Sequence, residues 1–201
     1  MMLVQSRRPN LQKAFTLMEL VSVVAIVAVL SAILFPVIGR TLESARRSNC
    51  AANLRQHGLA TQLYSGDYDD RLPHAPSDFY HRTGFDAFAT MPPLSQILAS
   101  YGISPQLSRC PSDKYLDLET ASIARTHFER FGSSYFYFLE LAEHPPTITA
   151  FPNPSRNLLL QDAFYFHGGT TPSEGLANVL FVDGRVRLER WSAIEEYVVF
   201  P

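Results

Sequence analysis

Residues 15–39, Phe15-Thr16-Leu17-Met18-Glu19-Leu20-Val21-Ser22-Val23-Val24-Ala25-Ile26-Val27-Ala28-Val29-Leu30-Ser31-Ala32-Ile33-Leu34-Phe35-Pro36-Val37-Ile38-Gly39, decide the fold of this 201-residue chain. From Leu20 to Gly39 there are twenty residues without a charge. A helix rises about 1.5 Å per residue, so this run reaches roughly 30 Å, the thickness of a bilayer core. The fourteen residues before Phe15 carry Arg7, Arg8 and Lys13 and no acid. Positive flanks stay in the cytoplasm, so the pattern predicts residues 1–14 inside and the remainder outside. Arg40, Arg46 and Arg47 follow the apolar run, but Glu43 lies among them and the asymmetry keeps its sign. Pro36 removes one helical hydrogen bond, a loss that neighbouring helices make tolerable in lipid.

Outward from this run, the helical pattern continues past Pro36. Ile38, Leu42, Ala45, Ala52, Ala60 and Leu63 recur at spacings of three, four, seven and eight, which predicts one apolar stripe. Arg40, Glu43, Arg47 and Arg55 are expected on the opposite side. Ser65-Gly66-Asp67 supplies a stop signal. The expectation is one helix from about Thr16 to Ser65, half in lipid and half a spine for a soluble domain.

After Ser65 the composition changes, and twelve of the fourteen prolines lie at or beyond Pro73. Short elements joined by loops are expected there. Leu94–Tyr101 and Leu118–Phe131 read as helices, and Ser134–Phe138 and Asn157–Gln161 as strands. Asp183-Gly184 sits between two β-rich runs, Ala177–Val182 and Arg185–Leu188, which signals a hairpin. Arg185, Arg187 and Glu189 alternate with Val186 and Leu188, so one face of that hairpin should be solvated. The fold class predicted is α+β, a long N-terminal helix packed on a small antiparallel sheet. The chain divides into residues 1–14 (leader), 15–39 (membrane half of the helix), 40–65 (soluble half) and 66–201 (head).

Composition narrows the function. With 46 % hydrophobic and 18 % charged residues the chain can bury a core. Net charge is −2, and the chain after residue 14 holds 14 basic and 19 acidic residues, so nucleic acid is not an expected partner. No nucleophile elbow, phosphate loop or zinc spacing occurs, and no enzyme activity is expected. Asp67, Asp69 and Asp70 crowd four positions, a set of oxygens that suits Ca²⁺. The run lacks the spacing of an EF-hand, and Asp also favours turns after helices, so a structural turn is the competing reading. His167, before Gly168-Gly169, is expected to brace a loop rather than to catalyse. Cys50 and Cys110 form a candidate disulfide if their compartment is oxidising, and two separate thiols otherwise. Closing that loop would contribute roughly 4 kcal/mol.

Ala14-Phe15-Thr16-Leu17-Met18-Glu19 resembles the processing site of type IV prepilins and type II secretion pseudopilins. The basic leader, the apolar stretch and Pro36 fall where that family has them. The resemblance implies a pilin-like fold, cleavage by a prepilin peptidase between Ala14 and Phe15, and methylation of the new amine. Ala14 stands where the family usually has Gly. Glu19 becomes the fifth residue of the mature chain. An amine or a carboxylate buried alone among packed helices is costly, so Glu19 of one subunit pairing with the Phe15 amine of another would satisfy both. The implied partners are the prepilin peptidase, other pilin or pseudopilin subunits, an inner-membrane assembly platform and the lipid bilayer. The implied location is the bacterial inner membrane, single-pass with a cytoplasmic N-terminus, and then a filament. Asn49-Cys50, Asn53-Leu54, Asp67–Pro73, Cys110-Pro111-Ser112-Asp113 and the Asp-Gly hairpin also resemble a large bacterial group of prepilin-like proteins. That group ends in a His, nine residues, then Asp-Gly; here fifteen residues separate His167 from Asp183. The alternative is a membrane-anchored extracytoplasmic binding protein that never polymerises, which the mature N-terminus would discriminate.

Overall fold

The structure, a computed structural model, describes residues 16–83, 90–113, 126–138, 141, 145–169, 171 and 173–197. Helix α1 runs Leu17–Asp67, 51 residues, with Pro36 inside it. It begins in a reciprocal cap. The Glu19 N–H donates to Thr16 Oγ1 at 3.3 Å, while Glu19 Oε2 accepts from the Thr16 N–H at 2.9 Å. It ends beyond the expected Ser65, because Ser65 and Gly66 remain helical. The reversal falls on Asp69 and Asp70, whose φ values of 52° and 59° are left-handed. Asp tolerates that conformation better than most residues, and the Asp70 N–H returns to the Ser65 carbonyl at 2.8 Å.

The chain forms two compact units, Met1–Leu42 and Glu43–Pro201. In the described part of the first, every residue from Thr16 to Leu42 is exposed except Ser31, which is half-buried. Its large apolar side chains, Leu17 through Leu42, are 50 % to 80 % exposed.

In the second unit α1 buries Cys50, Leu54, His57, Gly58, Ala60, Thr61 and Ser65. This corrects the expected stripe: of its six members only Ala60 is buried, while Ile38, Leu42 and Leu63 are half or more exposed. The face that packs is built from small and polar residues because the sheet comes close. A Cβ on Gly58 would lie 3.1 Å from Leu180 Cδ1.

The sheet has order β1-β2-β3-β4, all antiparallel: β1 Tyr135–Tyr137, β2 Leu158–Asp162, β3 Leu176–Phe181 and β4 Val186–Arg190. The expected strands are thus present within one or two residues of their predicted ends. The hairpin turn is wider than a two-residue loop. The Phe181 N–H donates to the Arg185 carbonyl at 2.9 Å, leaving Val182-Asp183-Gly184 as the loop, with Gly184 at φ 84°. Glycine takes the left-handed position that such three-residue loops require. Leu160 and Leu180 face the core that holds Leu54, Tyr135 and Tyr137. Leu158, Ala177, Val179 and Phe181 face a second cluster, closed by Ile194 from the 3-10 turn Trp191–Glu196. The sheet interior is therefore covered on both faces, and solvation is confined to β4, where Arg187 and Arg190 are exposed.

Three short helices complete the unit: α2 Asp78–Thr83, α3 Leu94–Ala99 and α4 His127–Phe131. α2 carries no helix signal in the sequence pattern. The expected helix 118–131 is described only from His127, since 114–125 lie outside the described residues. α4 starts in a Thr126–Glu129 capping box and ends at Gly132, φ 90°. Asp113 holds its start, accepting from the backbone N–H groups of His127 at 2.9 Å and Phe128 at 2.8 Å.

Candidate functional site

Two constellations stand out, one in each unit. In the first unit, Glu19 is the single acidic side chain of the apolar half of α1. Its carboxylate accepts from both the N–H and the hydroxyl of Thr16, the latter at 2.8 Å. The Thr16-Leu17-Met18-Glu19 spacing is therefore a local capping device as well as part of a processing motif. Ala14 and Phe15 lie outside the described residues. Sixteen large apolar side chains between Leu17 and Leu42 stand exposed. Each contributes about 1.5–3 kcal/mol when removed from water, so this surface demands lipid or other helices.

In the second unit, a histidine bridge ties the start of the packed helix to the sheet. His167 is 1 % exposed. Its Nδ1 lies 3.1 Å from Glu43 Oε1, and its Nε2 lies 3.2 Å from Asp162 Oδ2. Ser112 Oγ donates to Glu43 Oε1 at 2.8 Å. Asn178 donates to Asp162 Oδ2 from its backbone N–H at 2.6 Å and from Nδ2 at 3.0 Å. Burial pushes the His167 imidazole down, but the contacts with Asp162 and then Glu43 outweigh it and hold the ring above its ordinary value. Burial pushes the Asp162 carboxyl up, opposed by His167 and Asn178.

Beside this bridge Cys50 and Cys110 are joined by a disulfide, with Cα atoms 4.9 Å apart. It ties α1 to the loop before Pro111, and Cys110 Sγ lies 3.8 Å from His167 Nε2. Asn53 Nδ2 donates to the Arg109 carbonyl at 2.9 Å, and the Tyr135 hydroxyl donates to the Cys50 carbonyl at 3.4 Å. The bridge and the disulfide are thus one structural joint.

Sequence reasoning placed Glu43 among the solvent-facing charges; the structure turns it inward to His167. The signal was available in the spacing. Glu43, Cys50 and His57 stand seven residues apart, two helical turns, and so share a face. His167 does brace a loop. Its N–H donates to the Leu176 carbonyl at 3.1 Å, and Gly168 and Gly169 follow at φ 67° and 64°. Asp67, Asp69 and Asp70 form the turn that ends α1. Asp67 Oδ2 accepts from the Tyr101 hydroxyl at 3.0 Å, and the Asp70 carbonyl accepts from the Ile148 N–H at 2.8 Å. Among the described residues these three carboxylates are not part of a gathered ligand cluster, and the turn itself is what the structure describes.

Residues 9–35 match the model of the prokaryotic N-terminal methylation motif. No curated protein and no solved structure matches the chain. The motif, followed by the apolar helix, marks a type IV pilin- or pseudopilin-like prepilin, a substrate of prepilin peptidase. A long N-terminal helix with a four-stranded antiparallel sheet gives it a pilin-like α+β arrangement. The one membrane-crossing candidate among the described residues, Leu17–Asp67, fits a single-pass protein of the inner membrane.

Proposed function

We propose that this chain is a structural subunit of a type II secretion pseudopilus or a type IV pilus, and that it carries out no catalytic step. Prepilin peptidase removes residues 1–14 by cutting between Ala14 and Phe15 on the cytoplasmic side. The mature chain waits in the inner membrane with its head outside, then leaves the bilayer for a filament through an assembly platform. The observation that supports this most is the methylation motif at residues 9–35 running directly into an apolar helix whose side chains pack against no other element among the described residues. Such a face is at rest in lipid and equally at rest against sister helices, which is what transfer from membrane to filament needs.

Glu19 supplies the register. In the lone subunit it caps its own helix through Thr16. In the filament its charge meets the Phe15 amine of a neighbour. Glu19→Gln keeps an oxygen for the cap and loses the charge, whereas Glu19→Ala loses both. Both variants should insert in the membrane and both should be missing from the sheared filament fraction. Recovery of Glu19→Gln in filaments at the normal level would reduce Glu19 to a helix cap.

A further inference from the structure

The joint described above contains soft metal ligands as well as a clamp. Cys50 Sγ, Cys110 Sγ and a ring nitrogen of His167 all lie within 4.8 Å of one another, and all three residues are buried. Tetrahedral zinc, with Zn–S about 2.3 Å and Zn–N about 2.0–2.1 Å, places its donor atoms roughly 3.3–3.8 Å apart. The separation of 3.8 Å between Cys110 Sγ and His167 Nε2 already meets that spacing. We propose that the reduced chain binds one zinc-class divalent cation through the Cys50 and Cys110 thiolates and His167 Nε2, and that closing the disulfide expels it.

The surrounding shell is the one such a site needs. A metal-ligating histidine almost always gives its other N–H to a carboxylate or carbonyl, which fixes the tautomer. Here Glu43 Oε1 lies 3.1 Å from His167 Nδ1 and is itself held by Ser112 Oγ. With the Nδ1 proton committed to Glu43, Nε2 carries the lone pair. It accepts from Asn178 Nδ2 at 2.9 Å in the oxidised chain, and the metal would replace that amide as its partner, with Cys110 Sγ 3.8 Å away. Asp162 is a further oxygen donor beside the ring. Its Oδ2 lies 3.2 Å from Nε2, and its buried Oδ1 has no hydrogen-bond partner. A cavity of about 530 Å³ lined by Asn49, Asn53, Cys110, Pro111 and Asp113 lies beside the joint.

The thiols are free at one stage in particular. A head made in the reducing cytosol and exported to an oxidising compartment arrives as a dithiol. That occasion rests on the extracytoplasmic reading of the head; the ligand set does not. Metal binding releases two thiol protons. Oxidation by a disulfide-bearing oxidant then forms the Cys50–Cys110 bond, breaks the oxidant's S–S bond to give two thiols with uptake of two protons, and frees the divalent cation.

The test uses the full chain in detergent micelles, reduced with a phosphine, with Co²⁺ as the probe. The expected result is one Co²⁺ per chain, with tetrahedral visible bands and thiolate-to-cobalt absorption that Zn²⁺ abolishes by displacement. The oxidised chain and Cys110→Ser should show neither signal. Glu43→Gln should bind about 10–100-fold more weakly, the usual effect of losing an orienting partner, and His167→Gln, which removes a ligand, at least as much more weakly. The proposal is overturned if the reduced chain, folded or not, retains no more cobalt than the Cys50→Ser/Cys110→Ser double variant. It is equally overturned if His167→Gln leaves cobalt affinity unchanged, since thiols alone would then account for binding.

Discussion

The two halves of α1 share a backbone conformation and almost nothing else. From Leu17 to Leu42 the helix exposes its apolar side chains on every side. From Glu43 to Asp67 it has one buried face, and that face is largely small or polar: Cys50, His57, Gly58, Thr61 and Ser65 around a single large residue, Leu54. A helix that is hydrophobic all round needs an apolar medium, whereas one with a single packed face needs a partner in water. The same secondary structure therefore serves two solvents, and the sequence marks the change by swapping hydrophobicity for shape.

The largest expected effect comes from cutting the joint that holds the watery half. Cys50→Ala/Cys110→Ala opens a loop of sequence separation 60, and should cost the head about 2–5 kcal/mol. Thermal unfolding followed by near-UV circular dichroism should shift down by roughly 10 °C, at about 2–4 °C per kcal/mol for a unit of this size. Far-UV signal from the micelle-bound half should persist. If both halves melt together, the division at Leu42 does not describe independent units.

A lysine scan sharpens the comparison next. Val27→Lys sits mid-membrane and should cost about 2.5–3.5 kcal/mol of insertion, read as the membrane-integrated fraction. Leu63→Lys, at a residue 60 % exposed in the watery half, should change neither insertion nor head stability by more than about 0.5 kcal/mol. Equal effects at the two sites would erase the distinction between solvents.

Acid provides the third contrast. His57 is 2 % exposed, neither ring nitrogen has a partner in hydrogen-bond geometry, and burial pushes it down to about 4, opposed in part by the Leu107 backbone. A folded-state value below the unfolded one, about 6.5, means the unfolded chain binds the extra proton. The stability is therefore present above about pH 6.5 and is lost as pH falls toward 4. Between pH 7 and pH 5 the loss from this group is roughly 2 kcal/mol. His57→Leu should flatten that acid limb in denaturant titrations of the head. An unchanged pH slope would mean that His57 is hydrogen-bonded or hydrated in solution.

The smallest effects separate two glycines of the one helix. A Cβ at Gly58 meets Leu180, while a Cβ at Gly39 meets nothing within 4 Å. Gly58→Val should destabilise the head by about 1–3 kcal/mol through overpacking. Gly39→Ala should leave head stability unchanged. Tolerance of valine at Gly58 would show that helix and sheet do not approach as closely as the contact implies.

The membrane half was legible because periodicity is irrelevant there: twenty uncharged residues suffice. The strands were legible from Tyr135–Tyr137, Leu158–Asp162 and the Asp183-Gly184 turn, whose chemistry is local. The packing face was not legible, because an apolar stripe is a poor guide where Gly58 and Thr61 are chosen for closeness rather than hydrophobicity. His167 could be read only as a loop brace. Its partner Glu43 is 124 residues away and only the fold brings it near, while Asp162, close in the chain at the end of β2, turns toward the ring by tertiary packing that no local spacing signals. The cysteines offered a pair, but what surrounds the pair is a tertiary fact.

In an assembly subunit the apolar helix becomes the mature N-terminus. Mass spectrometry of the N-terminal peptide, taken from native protein in cells with an active prepilin peptidase, tests it directly. The expected chain begins at N-methylated Phe15. A chain that still begins at Met1, with Arg7, Arg8 and Lys13 retained, would contradict it.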